Sequence, residues 1–259
     1  MTEKIRTALL ISGSGTTAEA VINKCQSGEL EGIKPVVVIS SKPDVDGLMK
    51  AKKLGIKTEV IQQRLFTSRE AFGEGLLDLL KENDVDLVAQ LGWLPLTPLN
   101  VVEKYNKRIF NQHPAPLDPG RPDFGGKGMY GLRTHLALLL YKQLTGSQID
   151  TEATTHWVDP NYDKGNIIRR VTMKINTPNR IMTIEEITDN PTIQQQLLES
   201  AGDIQKRLLP IEHDNVVSTL QGLAKGENLF FRREKPLVPE ENIKCLDNAK
   251  DFAIKLLAS

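Results

Sequence analysis

Between residues 7 and 114, short runs rich in β-branched residues alternate with longer amphipathic segments, and this alternation constrains the fold more than any other feature. Strands joined through helices need crossover connections, which means βαβ units and a mainly parallel sheet. The pattern predicts strands over residues 7–11, 35–40, 57–61, 86–91 and 108–112, with helices over 17–26, 45–54, 68–82 and 98–105. Three of the helices carry start signals: Thr17 as a cap, Ser68 ahead of Arg69 and Glu70, and Pro98 at the first helical position.

Past residue 114 the rhythm breaks. Residues 115–131 (APLDPGRPDFGGKGMYG) are too dense in Gly and Pro for a regular element and read as one long loop, a kind usually functional or disordered. Helical periodicity returns over 133–144, and two strands, 151–158 and 166–175, flank the turn-rich segment Asp159 to Gly165 as a β-hairpin. A polar stretch over 176–190 precedes a long helical region at about 191–225, and a proline-bounded helix over 240–257 closes a tail expected to pack back. The chain is thus an α/β protein with a doubly wound, mainly parallel sheet, a late β-hairpin and C-terminal helices. It divides into a domain of residues 1–228 and an extension of residues 229–259.

Composition narrows the classes of function. The 33 basic residues balance the 33 acidic ones, so no electrostatic case exists for a nucleic-acid or membrane partner. The two cysteines, Cys25 and Cys245, lie far apart with no Cys-x-x-Cys, which speaks against a disulfide framework or structural zinc and for a reducing compartment. The N-terminus lacks a signal-peptide pattern, and no apolar run approaches the ~20 residues that span a bilayer. A soluble cytoplasmic protein is expected.

Ser12-Gly13-Ser14-Gly15-Thr16-Thr17 follows the first strand and opens a helix. Glycines there let backbone amides approach a phosphate, which the positive helix end also favours. A ligand-free turn is one reading. A dinucleotide fingerprint is another, but it needs an acid after the second strand, where Ser40-Ser41-Lys42 stands. A Walker loop lacks its Gly-Lys-Ser/Thr. A monophosphate site on Gly13, Ser14, Gly15 and Thr16 fits best.

Asn111 and His113 sit two apart at the end of the fifth strand, so their side chains share one face at the carboxyl edge of the sheet. An isolated pair of this kind is more often a turn former and a half-buried histidine. Asp163, in the hairpin turn, is by default a turn residue too. If that turn folds over the strand end, however, its carboxylate would orient the imidazole and relay a proton. Among the other histidines, His156 beside Trp157 reads as a core residue, His135 as a cap or loop anchor, and His213 with Glu212 as part of a solvated face. No spacing suggests a metal site.

In order, these segments resemble the phosphoribosylglycinamide formyltransferase family. The resemblance is carried by Ile11 to Thr17, Asp86 to Trp93 with Thr97-Pro98, Asn111-Gln-His-Pro114, Gly131 to His135, and Thr155 to Val158 with Asp163-x-Gly165. It covers about residues 5 to 228 and implies a Rossmann-like formyltransferase fold. It also implies transfer of a formyl group from 10-formyltetrahydrofolate to the amine of glycinamide ribonucleotide, without a metal. In that family's terms Asn111, His113 and Asp163 are catalytic, and Gly13 to Thr16 bind the 5′-phosphate. Glu212, His135 and Arg69 contact the substrate, and Leu91, Gly92, Trp93, Asn161 and Tyr162 line the folate. Relatives acting on sugar nucleotides, methionyl-tRNA or formyltetrahydrofolate itself share the Asn/His/Asp core, and a non-catalytic nucleotide-binding module is the alternative of another kind. The chain departs from the family pattern in three places. The arginine expected after Gly92-Trp93 is missing, leaving Arg121, Lys127 or Arg133 as candidate substitutes; the 115–131 loop is longer; and the segment at 176–200 and the tail after 228 have no family counterpart.

Overall fold

The computed structural model describes residues 3–176 and 180–258. Its seven-stranded sheet consists of β1 (Ile5–Ile11), β2 (Ile33–Ser40), β3 (Lys57–Val60), β4 (Leu87–Gln90), β5 (Ile109–His113), β6 (Thr151–Trp157) and β7 (Ile167–Met173), in the order β3-β2-β1-β4-β5-β6-β7. The first five strands are parallel, and β6 and β7 are antiparallel, as the alternation and the hairpin pattern predict. Strand order reverses between β1 and β4, so a crevice opens at their carboxyl ends, where ligands of open α/β sheets bind.

The helices are α1 (Thr16–Gln26), α2 (Asp46–Lys53), α3 (Arg69–Glu82), α4 (Leu99–Lys104), α5 (Leu132–Thr145), α6 (Ile184–Thr188), α7 (Pro191–Ala224) and α8 (Ile243–Leu256). One face of the sheet packs Leu9, Ile11 and Val38 against α1, α2 and the end of α7, while the other packs Leu10 and Ile39 against α3 and α4. Burial on both faces explains why β1 reads as a nearly continuous apolar run. A third cluster joins α5, α7 and α8, and there Val238, Leu246, Ala249 and Ala253 of the tail are buried.

Local signals hold in part. The Ser68 hydroxyl accepts from the Ala71 amide and caps α3. Thr17 does not cap α1: the cap is Gly15, in the left-handed region at φ 63° with no side-chain hydrogen bond, because the chain must turn sharply out of β1 before the helix can start. Pro98 is the cap of α4 and not its first residue. The polar stretch also contains a helix, α6, with a Thr183/Glu186 capping box; residues 177–179 of that stretch lie outside the described residues. Residues 115–131 contain no helix or longer strand, only an isolated bridge between Asp118 and Arg121. Among the described residues, no helix is long and apolar enough to cross a membrane.

Candidate active site

A cavity of about 390 Å³ occupies the crevice, walled by the loop after β1, the segment after β4, the end of β5, the hairpin turn and α7. Gly13, Ser14, Gly15 and Thr16 form one wall. The first amides of α1 have no intrahelical partner and no side chain caps them, so they remain available to an anion. A Cβ on Gly15 would lie 2.7 Å from the Gly47 Cα, so both the positive φ and the packing against α2 require glycine.

The hairpin turn folds over the end of β5. Asp163, in the left-handed region at φ 56°, aims its carboxylate back at the strand. Its Oδ2 accepts from the Gly126 amide at 2.8 Å and lies 3.7 Å from His113 Nδ1; its Oδ1 is 3.4 Å from Asn111 Nδ2. His113 is buried, and its Nε2 donates to the Phe124 carbonyl at 3.2 Å. Both ring nitrogens therefore face acceptors, an arrangement that suits the imidazolium. Burial, the largest influence, still pushes the imidazole below its usual pKa, against the pull of Asp163 and the carbonyl. For Asp163 burial again opposes charge, but His113, His156 and the Gly126 amide outweigh it and hold the carboxyl well below the usual range.

His156 is the satisfied core residue that the sequence reading expects, and it has a further position. It is buried as expected, yet it stands directly across from Asn111 in the β5–β6 register and shares its face. Its Nδ1 donates to the Trp157 carbonyl at 2.9 Å, and its Nε2 lies 3.1 Å from Asn111 Nδ2 and 3.4 Å from Asp163 Oδ1. The Thr-His-Trp-Val motif was visible in the sequence, but only the strand register brings it to Asn111.

Glu212 and His135 line the same cavity. Glu212 does not belong to a solvated face: burial in the middle of α7 pushes its carboxyl up to about 7, only partly offset by a hydrogen bond from Gln112. His135 neither caps nor anchors. Among the described residues neither ring nitrogen has a hydrogen-bond partner, and burial drops its pKa to about 4, so it is neutral near pH 7. Leu91, Gly92, Trp93 and Tyr162 also line the cavity, and a Cβ on Gly92 would meet nothing within 4 Å, so the backbone there faces open space. Trp93 itself stacks on Phe72 with ring centroids 6.4 Å apart. Asn161 is exposed and bonded to Asp159, beside a smaller adjoining pocket. Arg69 lies exposed on the first turn of α3, outside the cavity lining. Two of the three candidate substitute cations are taken up elsewhere: Arg121 pairs with Asp123, and Arg133 bonds the Leu257 carbonyl. Among the described residues no group of three or more His, Cys, Asp or Glu is arranged for a metal ion.

Fold and site together define a doubly wound α/β protein with an amide, an imidazole and a carboxylate converging beside a glycine-rich loop at the switch point of its sheet. The chain belongs to the formyl transferase family, whose sequence model matches residues 5–197. It is 31% identical over 169 residues to the chloroplastic phosphoribosylglycinamide formyltransferase of Arabidopsis thaliana, which covers 65% of this chain and 54% of that protein. It is 26% identical to the phosphoribosylglycinamide formyltransferase of Haemophilus influenzae over 70% of this chain and 78% of that one. The crystal structure of glycinamide ribonucleotide transformylase 1 from Symbiobacterium toebii matches with a TM-score of 0.68 and 27% identity, over 87% of this chain and 90% of its own. The chain thus spans about half the length of the Arabidopsis relative.

Proposed function

We propose that the protein transfers the formyl group of 10-formyltetrahydrofolate to the primary amine of glycinamide ribonucleotide, a step of purine biosynthesis. The observation that carries this reading is the convergence of Asn111, His113 and Asp163 at one end of a cavity whose wall is the Gly13–Thr16 loop. Relatives named for the same reaction support it.

The 5′-phosphate would rest on the amides of residues 13–16, directing the ribonucleotide's amine toward Asn111 and His113. Glu212 and the unpartnered His135 face the space between, suited to the ribose and amine. Leu91, Gly92, Trp93 and Tyr162 would hold the folate, with Asn161 and Arg69 further out. The formyl folate supplies an electrophilic carbonyl carbon on a nitrogen leaving group.

As the amine adds to that carbon, negative charge grows on the formyl oxygen. Asn111 Nδ2 can meet it by giving up its longer, 3.4 Å contact with Asp163. His113 keeps Nε2 on the Phe124 carbonyl and presents Nδ1. Only the imidazolium carries a hydrogen on Nδ1, so His113 takes up a proton from solvent before the amine adds, and the new negative charge offsets the burial that disfavours that form. Each such donor contributes about 3 kcal/mol. Asp163, ionised in the resting site, takes the proton from the attacking nitrogen, is neutral only while it holds that proton, and then gives it to the leaving nitrogen, as general acid–base chemistry requires.

The test is formylation of glycinamide ribonucleotide by purified protein, with Asp163→Asn and His113→Ala each expected to lower turnover at least ~100-fold while leaving nucleotide binding nearly intact. Formylation of a sugar amine or a charged tRNA in its place, or hydrolysis alone, would overturn the substrate assignment; variants near wild type would overturn the catalytic one. The unpaired Cys25 and Cys245 suit a reducing compartment, and the cytoplasm is the one proposed.

A further inference from the structure

The turn at residues 123–126 supplies two of the groups that hold the catalytic pair: the Phe124 carbonyl on His113 and the Gly126 amide on Asp163. Within itself the turn is closed by one hydrogen bond, from the Gly125 amide to the Pro122 carbonyl at 2.7 Å. Asp123 sits in the left-handed region at φ 43°, an unfavourable place for a side-chain-bearing residue, and Gly126 has φ 101°. It is also pressed against the site, since a Cβ on Gly125 would lie 2.8 Å from the Asp163 Cβ.

What holds the turn from behind comes from the C-terminal tail. Lys250 of α8 donates from Nζ to the Asp123 and Gly125 carbonyls, both at 2.8 Å, so the carbonyls on either side of Phe124 point to an ammonium while the Phe124 carbonyl points to the imidazole. The same tail grips the loop upstream: Leu237 donates its amide to Asp118, Arg121 reaches the Val238 carbonyl, and Arg233 reaches the Leu117 carbonyl. All of these tail residues lie outside residues 5–197, the segment that matches the family model.

We infer that Lys250 is a positioning residue for the reaction: through the 123–126 turn it fixes His113 and Asp163 in their working geometry, making the tail part of the active site's support. This inference rests on the proposed formyl transfer only for its kinetic consequence; the geometric consequence stands without it. Two bonds from a charged donor are among the stronger ones available to a loop, and burial around Lys250 lowers its pKa without removing the acids, Asp247, Asp123, Asp163 and Asp251, that favour its charge.

The experiment compares full-length wild type, Lys250→Met and Lys250→Arg. Proton NMR of histidine-labelled protein reads the His113 Nε2–H resonance, and hydrogen exchange reads the Gly126 amide. In Lys250→Met the imidazole N–H signal should be lost to exchange and the Gly126 amide should exchange at least tenfold faster. Lys250→Arg, which retains paired donors, should restore both. Kinetically, Lys250→Met should lower kcat 10- to 100-fold with KM for either substrate changed less than about threefold, and Lys250→Arg should recover most of it. If Lys250→Met does not fold, Lys250→Arg and Lys250→Gln are judged by the same readings, with Gln, which keeps one donor, expected between Arg and wild type on one side and full loss on the other. A folded Lys250→Met with wild-type N–H signal, Gly126 exchange and kcat, whatever its Tm, would overturn the inference. If wild type itself transfers no formyl group, the functional proposal fails, and the NMR comparison still decides the brace.

Discussion

Replacing Glu212 by glutamine keeps the side chain's shape and removes its ionisation, which isolates a cost built into α7. In the folded protein burial raises this carboxyl from its ordinary 4.5 to about 7. Between those values the folded chain keeps a proton that the unfolded chain has released, so the favourable protonated burial is fully present below pH 4.5 and is lost as pH rises through about 7. At about 1.36 kcal/mol per pH unit the loss above pH 8 is about 3 kcal/mol. Glu212→Gln should therefore match wild type near pH 4.5 to 5 and exceed it by roughly 2–3 kcal/mol at pH 8. The assay is urea unfolding of both proteins at a series of pH values, taking the difference in free energy. Subtraction cancels the contributions common to both, such as Asp123, whose carboxyl is also raised, to about 6, and the buried histidines. A difference that stays flat between pH 5 and 8 would refute the reasoning, because it would mean that Glu212 ionises in the fold as freely as in the unfolded chain.

Gly15→Ala should weaken binding of the phosphate-bearing substrate about tenfold and cost roughly 1–3 kcal/mol of stability, since the new Cβ meets Gly47 at a positive φ; calorimetric titration and thermal unfolding measure the two effects. His135 should remain neutral at every pH above about 5, given a pKa near 4; an NMR titration showing it protonated near pH 6.5 would contradict its burial. Asp163→Asn should leave the fold intact and remove turnover, as single-turnover kinetics with a binding control would show.

The sequence by itself determined the sheet. A 2-residue period in short β-branched runs and a 3.6-residue period between them report burial of one face or both, a local property that survives without coordinates. It also placed Asn111 and His113 on one face, because that follows from strand geometry alone, and it marked Gly13 to Thr16 as the glycine-rich turn from β1 into α1. Where caps were misplaced, as at Thr17, the packing of Gly15 on Gly47 overrode local preference. Tertiary structure decided everything that depends on which distant segments meet. The β5–β6 register set the core residue His156 beside Asn111, and burial in α7 turned Glu212 from a surface acid into a cavity carboxyl. The long loop meets His113 and Asp163 through Phe124 and Gly126, and on its other side it meets Lys250 of α8, more than a hundred residues later. Contacts of that kind have no period and no local signal; they exist only once the chain has closed on itself.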